Sequence, residues 1–275
     1  MATARVGISG WVYPAWRTTF YPKGLAHARE LAYAAERLTS IEINGTFYSL
    51  QRPSSFERWR DATPDEFVFA VKGPRFITHM KKLADPDPFL ANFFASGVLA
   101  LEAKLGPVLW QLPPTLGFHE QRLVTFFEAL PRTTSAAAAV AAQHDERLEG
   151  RALTTVSVDQ PLRHAMEVRH PTFLEPRFLE VLRAHDVAVV VADSAGRYPA
   201  LDATTTDFVY VRLHGADELY VSGYPPESLD EWAIRVRRWT DQGLDVYAYF
   251  DNDAKVRAPY DAMGLIERLA SHSAT

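Results

Sequence analysis

Short apolar stretches alternate with helical patterns along the whole chain. Eight stretches rich in branched and aromatic residues, each ending in polar residues, occupy positions 6–11, 40–48, 67–74, 106–113, 163–171, 187–194, 208–215 and 245–252. Between most of them, apolar residues recur at the spacing of an amphipathic helix. Strands that alternate with helices pair in parallel through crossover connections. The pattern therefore predicts an α/β fold, a TIM-type (β/α)8 barrel.

The helical patterns cover positions 28–38, 54–62, 86–103, 119–130, 173–185, 227–242 and 259–270. The longest connection joins the fourth and fifth strands, and positions 133–162 form an insertion within it. Its alanine run favours a helix near 135–148 that ends at Gly150. A polar loop then leads to Pro161. We expect this insertion to be a surface feature, with a lid over the barrel mouth as the alternative.

Composition limits the class of protein. The chain has 275 residues, of which 47% are hydrophobic and 23% are charged, and this length fits one barrel domain over positions 1–275. It has no cysteine, which excludes disulfides, thiolate metal sites and cysteine nucleophiles. The sequence shows no membrane-length apolar run and no recognisable signal peptide. We therefore expect a cytoplasmic protein without membrane segments.

Polar residues gather where the predicted strands end. Active sites of (β/α)8 barrels lie at the C-terminal ends of the strands. An unpaired charge inside a barrel is costly, so such groups should pair with one another or bind a ligand. The residues at these positions are Glu42, Asn44, Lys72, Gln111, Glu167, Arg169, Asp193, Arg212, His214, Asp251 and Asn252.

Segments along essentially the whole chain carry a family resemblance. They read GISGWVYPAWRTTFYP, SIEINGTFYSLQRPSSFERW, FVFAVKGPRFITH, LGPVLWQLPP, AMEVRHPTF, VVVADSAGRYP, DFVYVRLHG and YAYFDNDAK. Together they resemble the domain of unknown function 72 family, the YecE-like proteins. The resemblance implies a TIM-type barrel and no particular reaction. The last strand of that family typically ends in two asparagines before an aspartate, whereas this chain has Asp251, Asn252 and Asp253.

The leading hypothesis is an enzyme that acts on a small anionic metabolite by acid–base chemistry. Arginine and lysine side chains bind phosphate and carboxylate groups well, and histidine transfers protons near neutral pH. No cofactor is predicted. The expected catalytic residues are Glu42, Glu167, His214 and Lys72. The expected substrate-binding residues are Asn44, Tyr13, Arg75, Gln111, Arg169, Asp193, Arg212 and Asn252.

A divalent metal is the first alternative, as in a metal-dependent isomerase or phosphodiester hydrolase. Carboxylate and imidazole ligands suit such a metal, although cations at the same strand ends would repel it. The candidate ligands are Glu42, Glu167, Asp193 and His214.

Non-enzymatic binding of single-stranded nucleic acid is the second alternative. The aromatic loop at positions 10–22 would act together with a patch formed by Arg75, His79, Lys81 and Lys82. The net charge of −5 makes nucleic acid an unlikely partner. Otherwise we expect the loop to form an apolar cluster and His79 to be a solvated loop residue. The sequence leaves the oligomeric state undecided.

Overall fold

A parallel barrel forms the scaffold of the protein. The computed structural model describes residues 2–271. Within this range eight strands pair in chain order around a closed barrel, which confirms the TIM-type fold. The strands are β1 (Ala4–Ser9), β2 (Ser40–Ile43), β3 (Val68–Lys72), β4 (Leu105–Gln111), β5 (His164–Glu167), β6 (Ala188–Asp193), β7 (Phe208–Leu213) and β8 (Asp245–Phe250).

Helices of very different length connect the strands. None of those within residues 2–271 has the length and apolar character needed to cross a lipid bilayer. The α-helices are α1 (Glu30–Ala35), α2 (Gly45–Tyr48), α3 (Pro53–Asp61), α4 (Asp87–Ala95), α5 (Glu120–Glu128), α6 (Thr134–Ala141), α7 (Pro176–Ala184), α8 (Pro226–Asp241) and α9 (Ala258–Ala270).

Backbone contacts divide the described residues into two compact units. The first unit contains the chain up to Glu42 together with the chain from Ala188 onward, and the second runs from Ile43 to Val187. Strands β1, β6, β7 and β8 belong to the first unit, and β3, β4 and β5 belong to the second.

The first unit is built around β1, which pairs in parallel with β8. Its aromatic loop packs inward: Trp16, Phe20 and Tyr21 are all buried. The ring centroids of Trp16 and Phe20 lie 5.8 Å apart, and those of Phe20 and Tyr21 lie 4.9 Å apart. These contacts support the interpretation of the loop as an apolar cluster.

All eight strands end before the predicted stretches do, and β2 and β5 fall furthest short. The Thr46 hydroxyl donates to the carbonyls of Ile43 and Lys72, at 3.0 and 2.7 Å. The chain therefore turns into α2 directly after β2, and Asn44 precedes a helix instead of lying on a strand. Strand β5 ends at Glu167, and Pro171 begins a 3-10 turn because its fixed φ suits a first helical turn.

Two helical predictions were too long. The pattern at 86–103 divides into α4 and a 3-10 segment, Val98–Lys104, because Gly97 between them has a φ of 113°. In the insertion, α6 ends at Ala141 and does not extend over 135–148. The Asp145 side chain caps a separate 3-10 turn, Glu146–Leu148, by accepting from the Arg147 N–H.

Gly73, directly after β3, provides a test of how tightly the second unit is packed. A Cβ atom at this position would lie 2.4 Å from ring carbons of Trp110, which is fully buried. We expect Gly73→Ala to lower the free energy of unfolding by about 1–3 kcal/mol, as overpacking does, measured by urea unfolding. Gly45→Ala is the control, because its Cβ would meet only the Gln51 side chain, at 3.8 Å. Equal losses in both variants would contradict this prediction.

Candidate functional site

The residues proposed from the sequence fall into two groups, one in each compact unit. The first unit holds Tyr13, Glu42, Asp193, Arg212, His214 and Asn252. The second unit holds Asn44, Lys72, Arg75, Gln111, Glu167 and Arg169.

Arg212 on β7 is the central cation of the first group, and it is fully buried. Its Nε and Nη2 atoms donate to the two carboxylate oxygens of Glu42, at 3.1 and 2.9 Å. Nη2 also donates to Asp251 Oδ2 at 2.9 Å. Protein carboxylates therefore already surround this guanidinium. The substrate-binding role expected of Arg212 stays a prediction.

Glu42, on strand β2, is also fully buried. In addition to Arg212, it accepts from Ser9 Oγ at 2.5 Å and from the Tyr210 hydroxyl at 2.6 Å. Burial, followed by the negative charge of Glu42, raises the pKa of the Tyr210 phenol, so that group remains a donor. This geometry gives Glu42 a structural role that joins β1, β2 and β7; its expected catalytic role stays a prediction.

His214 follows β7 and is buried beside Asp251. Its Nδ1 atom lies 3.1 Å from Asp251 Oδ2, and its ring contacts Tyr220 edge to face at 5.3 Å. Asp251 thus contacts both Arg212 and His214. A carboxylate that fixes the orientation of an imidazole is a common arrangement in acid–base sites. The role of His214 in proton transfer stays a prediction.

Two further residues of the first group stabilise loops. Asp193 accepts from the Tyr224 hydroxyl at 3.1 Å. The side-chain nitrogen of Asn252 donates to the Ser222 carbonyl at 2.9 Å and to Asp261 at 2.8 Å. The substrate-binding roles expected of Asp193 and Asn252 stay predictions.

Asp253 is a residue that we had not placed in the site. Burial, then the neighbouring charge of Asp251, raises its pKa from 3.8 to about 8. Its Oδ1 atom is buried and has no hydrogen-bond partner. The Asp-Asn-Asp sequence could have indicated this pair of carboxyl groups, because two nearby carboxylates resist ionising together.

The structure gives no support for the metal alternative. Within residues 2–271, no three His, Cys, Asp or Glu side chains are arranged to hold a metal ion. Glu42, Asp193 and His214 instead contact Arg212, Tyr224 and Asp251, respectively.

The second group surrounds His79, which lies in a π-helical turn, Phe76–Met80. Turns of this kind are rare and frequently mark functional sites. His79 is half-buried, contrary to the expectation of a solvated loop residue. Its Nδ1 atom lies 2.9 Å from Thr78 Oγ1, and its Nε2 atom lies 3.5 Å from the Gln111 amide nitrogen. Gln111 therefore positions an imidazole here.

The electrostatics at His79 are dominated by cations. Burial, then the positive charges of Lys72, Arg169 and Arg75, lowers the pKa of His79 from 6.5 to about 4. Glu167 acts in the opposite direction and has the smaller effect. The imidazole is therefore neutral at physiological pH and lies in a positive local potential.

The two best-defined cations of this group have different environments. Lys72 at the end of β3 is buried, with Nζ 4.3 Å from the centroid of the Phe47 ring, a cation–π contact. Arg169 donates from Nε and Nη2 to one oxygen of Glu167, both at 2.8 Å. Glu167 is thus the electrostatic partner of Arg169, and its expected catalytic role stays a prediction.

The comparison with known families agrees with this fold. The model for "Protein of unknown function DUF72" matches residues 5–275.

The chain belongs to the DUF72 family.

Relatives of this DUF72 protein include YecE of Escherichia coli O157:H7, which is 25% identical over 92% of this chain and 88% of that protein. YunF of Bacillus subtilis strain 168 is 22% identical over 96% of this chain and 94% of that protein. A solved DUF72 structure from Thermotoga maritima MSB8 has a TM-score of 0.76 at 26% identity and covers 98% of this chain and 99% of that chain. These likenesses support the family and the fold, and they assign no reaction.

The structural role of Glu42 predicts a large effect on stability. We expect Glu42→Gln to lower the free energy of unfolding by about 3–5 kcal/mol, because it removes a charge partner from the buried Arg212. The control is Glu36→Gln, whose exposed carboxylate lies 3.1 Å from Arg37; we expect it to cost less than about 1 kcal/mol. A fully stable Glu42→Gln protein in urea unfolding would contradict the structural role.

Asp253 predicts a pH-dependent stability. The unfolded carboxyl ionises near its ordinary pKa of 3.8, whereas the folded one stays protonated up to about 8. The stabilisation is therefore complete below pH 3.8 and is lost as the pH rises through about 8. Asp253→Asn should gain stability relative to the unmodified protein as the pH increases across this window, measured by thermal unfolding. Gln242→Asn, an exposed control without a titratable group, should show a constant difference; a constant difference for Asp253→Asn would refute the raised pKa.

Proposed function

We propose that this DUF72 protein is an enzyme that binds a small anionic metabolite at Lys72, Arg75 and Arg169, here called the cation cluster. A phosphate or carboxylate group of the metabolite would contact the cluster, and acid–base chemistry would occur beside it. The observation that carries this proposal is the excess of positive charge around His79.

The charge balance of the second unit favours an anion. The principal charges acting on His79 are the three cations of the cluster and the single carboxylate of Glu167. Three cations and one carboxylate are thus the charges with the largest effect on His79, and Glu167 is itself bound to Arg169. A positive surplus in a partly buried place is costly, and a bound anion would offset that cost.

His79 is the proton acceptor in this proposal. With its pKa near 4 the imidazole is neutral, so it can accept a proton from a bound substrate. An anion bound on the cation cluster would raise that pKa toward the ordinary value, because it offsets the charges that lower it. Substrate binding would thus make His79 a stronger base at the moment when a base is needed.

The nucleic-acid alternative has less support. Within the patch proposed for it, His79 is neutral and half-buried and offers no positive charge to a phosphate backbone. Lys81 lies near the Phe89 ring, with Nζ 5.1 Å from the centroid. The acidic net charge of −5 also opposes a general attraction to nucleic acid.

The pKa of His79, followed by NMR titration, tests the proposal. We expect a value near 4 without ligand and an increase of about one unit or more with saturating inorganic phosphate, from the new opposite charge. Arg75→Gln, at an exposed position, should raise the pKa without ligand and weaken phosphate binding roughly threefold to tenfold.

Lys82→Gln is the matched control, because Lys82 is an exposed cation of the same loop that is not among the charges acting on His79. It should leave both quantities unchanged. If neither phosphate nor a small carboxylate such as acetate shifts the His79 resonance, the proposed anion site is wrong.

A further inference from the structure

A cavity of about 400 Å³ lies in the second unit, and anion binding alone does not explain its apolar lining. This volume is within the range of small-molecule sites. Its walls are mainly apolar and aromatic, formed by Phe47, Tyr48, Phe76, Ile77 and Phe89. Inorganic phosphate or a short carboxylate would gain little from such walls.

The cavity adjoins the cation cluster, because Arg75 belongs to both and Phe47 of the lining contacts Lys72. Arg75 lines the cavity and also acts on the pKa of His79. Phe47 lines the cavity, and its ring centroid lies 4.3 Å from Lys72 Nζ and 5.1 Å from the His79 ring. A ligand of modest length could therefore contact both places at once.

Polar groups within the cavity are largely occupied by the protein. Asn92 donates from its side-chain nitrogen to Asp145 at 2.8 Å, and its side-chain oxygen accepts from the Asp145 N–H at 3.0 Å. The charged groups of the lining are the guanidiniums of Arg75 and Arg147. A ligand in this cavity would therefore make apolar contacts next to positively charged side chains.

The exposed side chains at the cavity also indicate an apolar occupant. Tyr48 is 69% exposed and Met80 is 62% exposed, although both belong to the lining. The rings of Phe76 and Phe89 meet edge to face, with centroids 5.0 Å apart, an arrangement that can extend to a third ring.

We propose that the cavity holds an aromatic ring of the same ligand whose anionic group contacts the cation cluster. The substrate class is therefore an aromatic phosphate or carboxylate. This inference rests on the proposed function and narrows it, because it requires one ligand to use both places.

Calorimetric titration with phenyl phosphate and with inorganic phosphate tests this inference. We expect phenyl phosphate to bind at least tenfold more tightly, a difference of about 1.4 kcal/mol, because its ring enters the cavity. Ser49→Trp, at an exposed position in the cavity lining, should abolish this preference and leave the affinity for inorganic phosphate unchanged. Phe89→Ala, which removes an aromatic wall, should reduce the preference.

Ser157→Trp is the control, because Ser157 is exposed and lies outside the cavity lining. It should keep the tenfold preference. If inorganic phosphate binds and phenyl phosphate binds no more tightly, the ring site is wrong and the proposed function stands. If neither anion binds, the proposed function itself fails. If Arg75→Gln weakens inorganic phosphate and leaves phenyl phosphate unaffected, the ring and anion sites are separate and the inference is overturned.

Discussion

The ion pair of the fully buried Arg212 with Glu42 is the interaction on which the first unit depends. A buried guanidinium is tolerated only when charge and hydrogen bonds compensate the loss of water. Glu42 supplies the opposite charge, and Ser9 and Tyr210 complete the hydrogen bonds of that carboxylate. Side chains from β1 and β7 therefore converge on the Glu42 carboxylate of β2. The buried cation of this unit is paired with protein carboxylates.

The second unit contains the same residue types in a different balance. Burial lowers the pKa of His79 most, and the cation cluster, which outweighs Glu167, lowers it further. In the first unit the central cation is instead shared between Glu42 and Asp251. The presence of charged residues at strand ends is thus not enough to indicate a ligand site. The balance between positive and negative side chains decides which unit favours an anion.

The alternation of strands and helices sufficed to predict the barrel, because the strands bury apolar runs and most connections have a helical period. The predicted strand ends then indicated which polar residues lie at the C-terminal ends of the strands. The pairing of Glu42 with Arg212 was beyond such reasoning, because 170 positions separate them and only the barrel brings them together. The π-helical turn that half-buries His79 has no periodic signature in the sequence. Gly97, by contrast, was a readable signal that the helix at 86–103 would be divided.

Asp251, where the chain departs from the family motif, also contributes to the raised pKa of Asp253. An asparagine at position 251 would leave Arg212 facing Glu42 with no second carboxylate in contact. Asp251 adds a negative charge that both Arg212 and His214 contact. Burial, and then the negative charge of Asp251, favours the protonated form of Asp253, so Asp253 retains its proton. The first unit thus balances its charge with a proton, whereas the second unit keeps the positive surplus that an anionic ligand would neutralise.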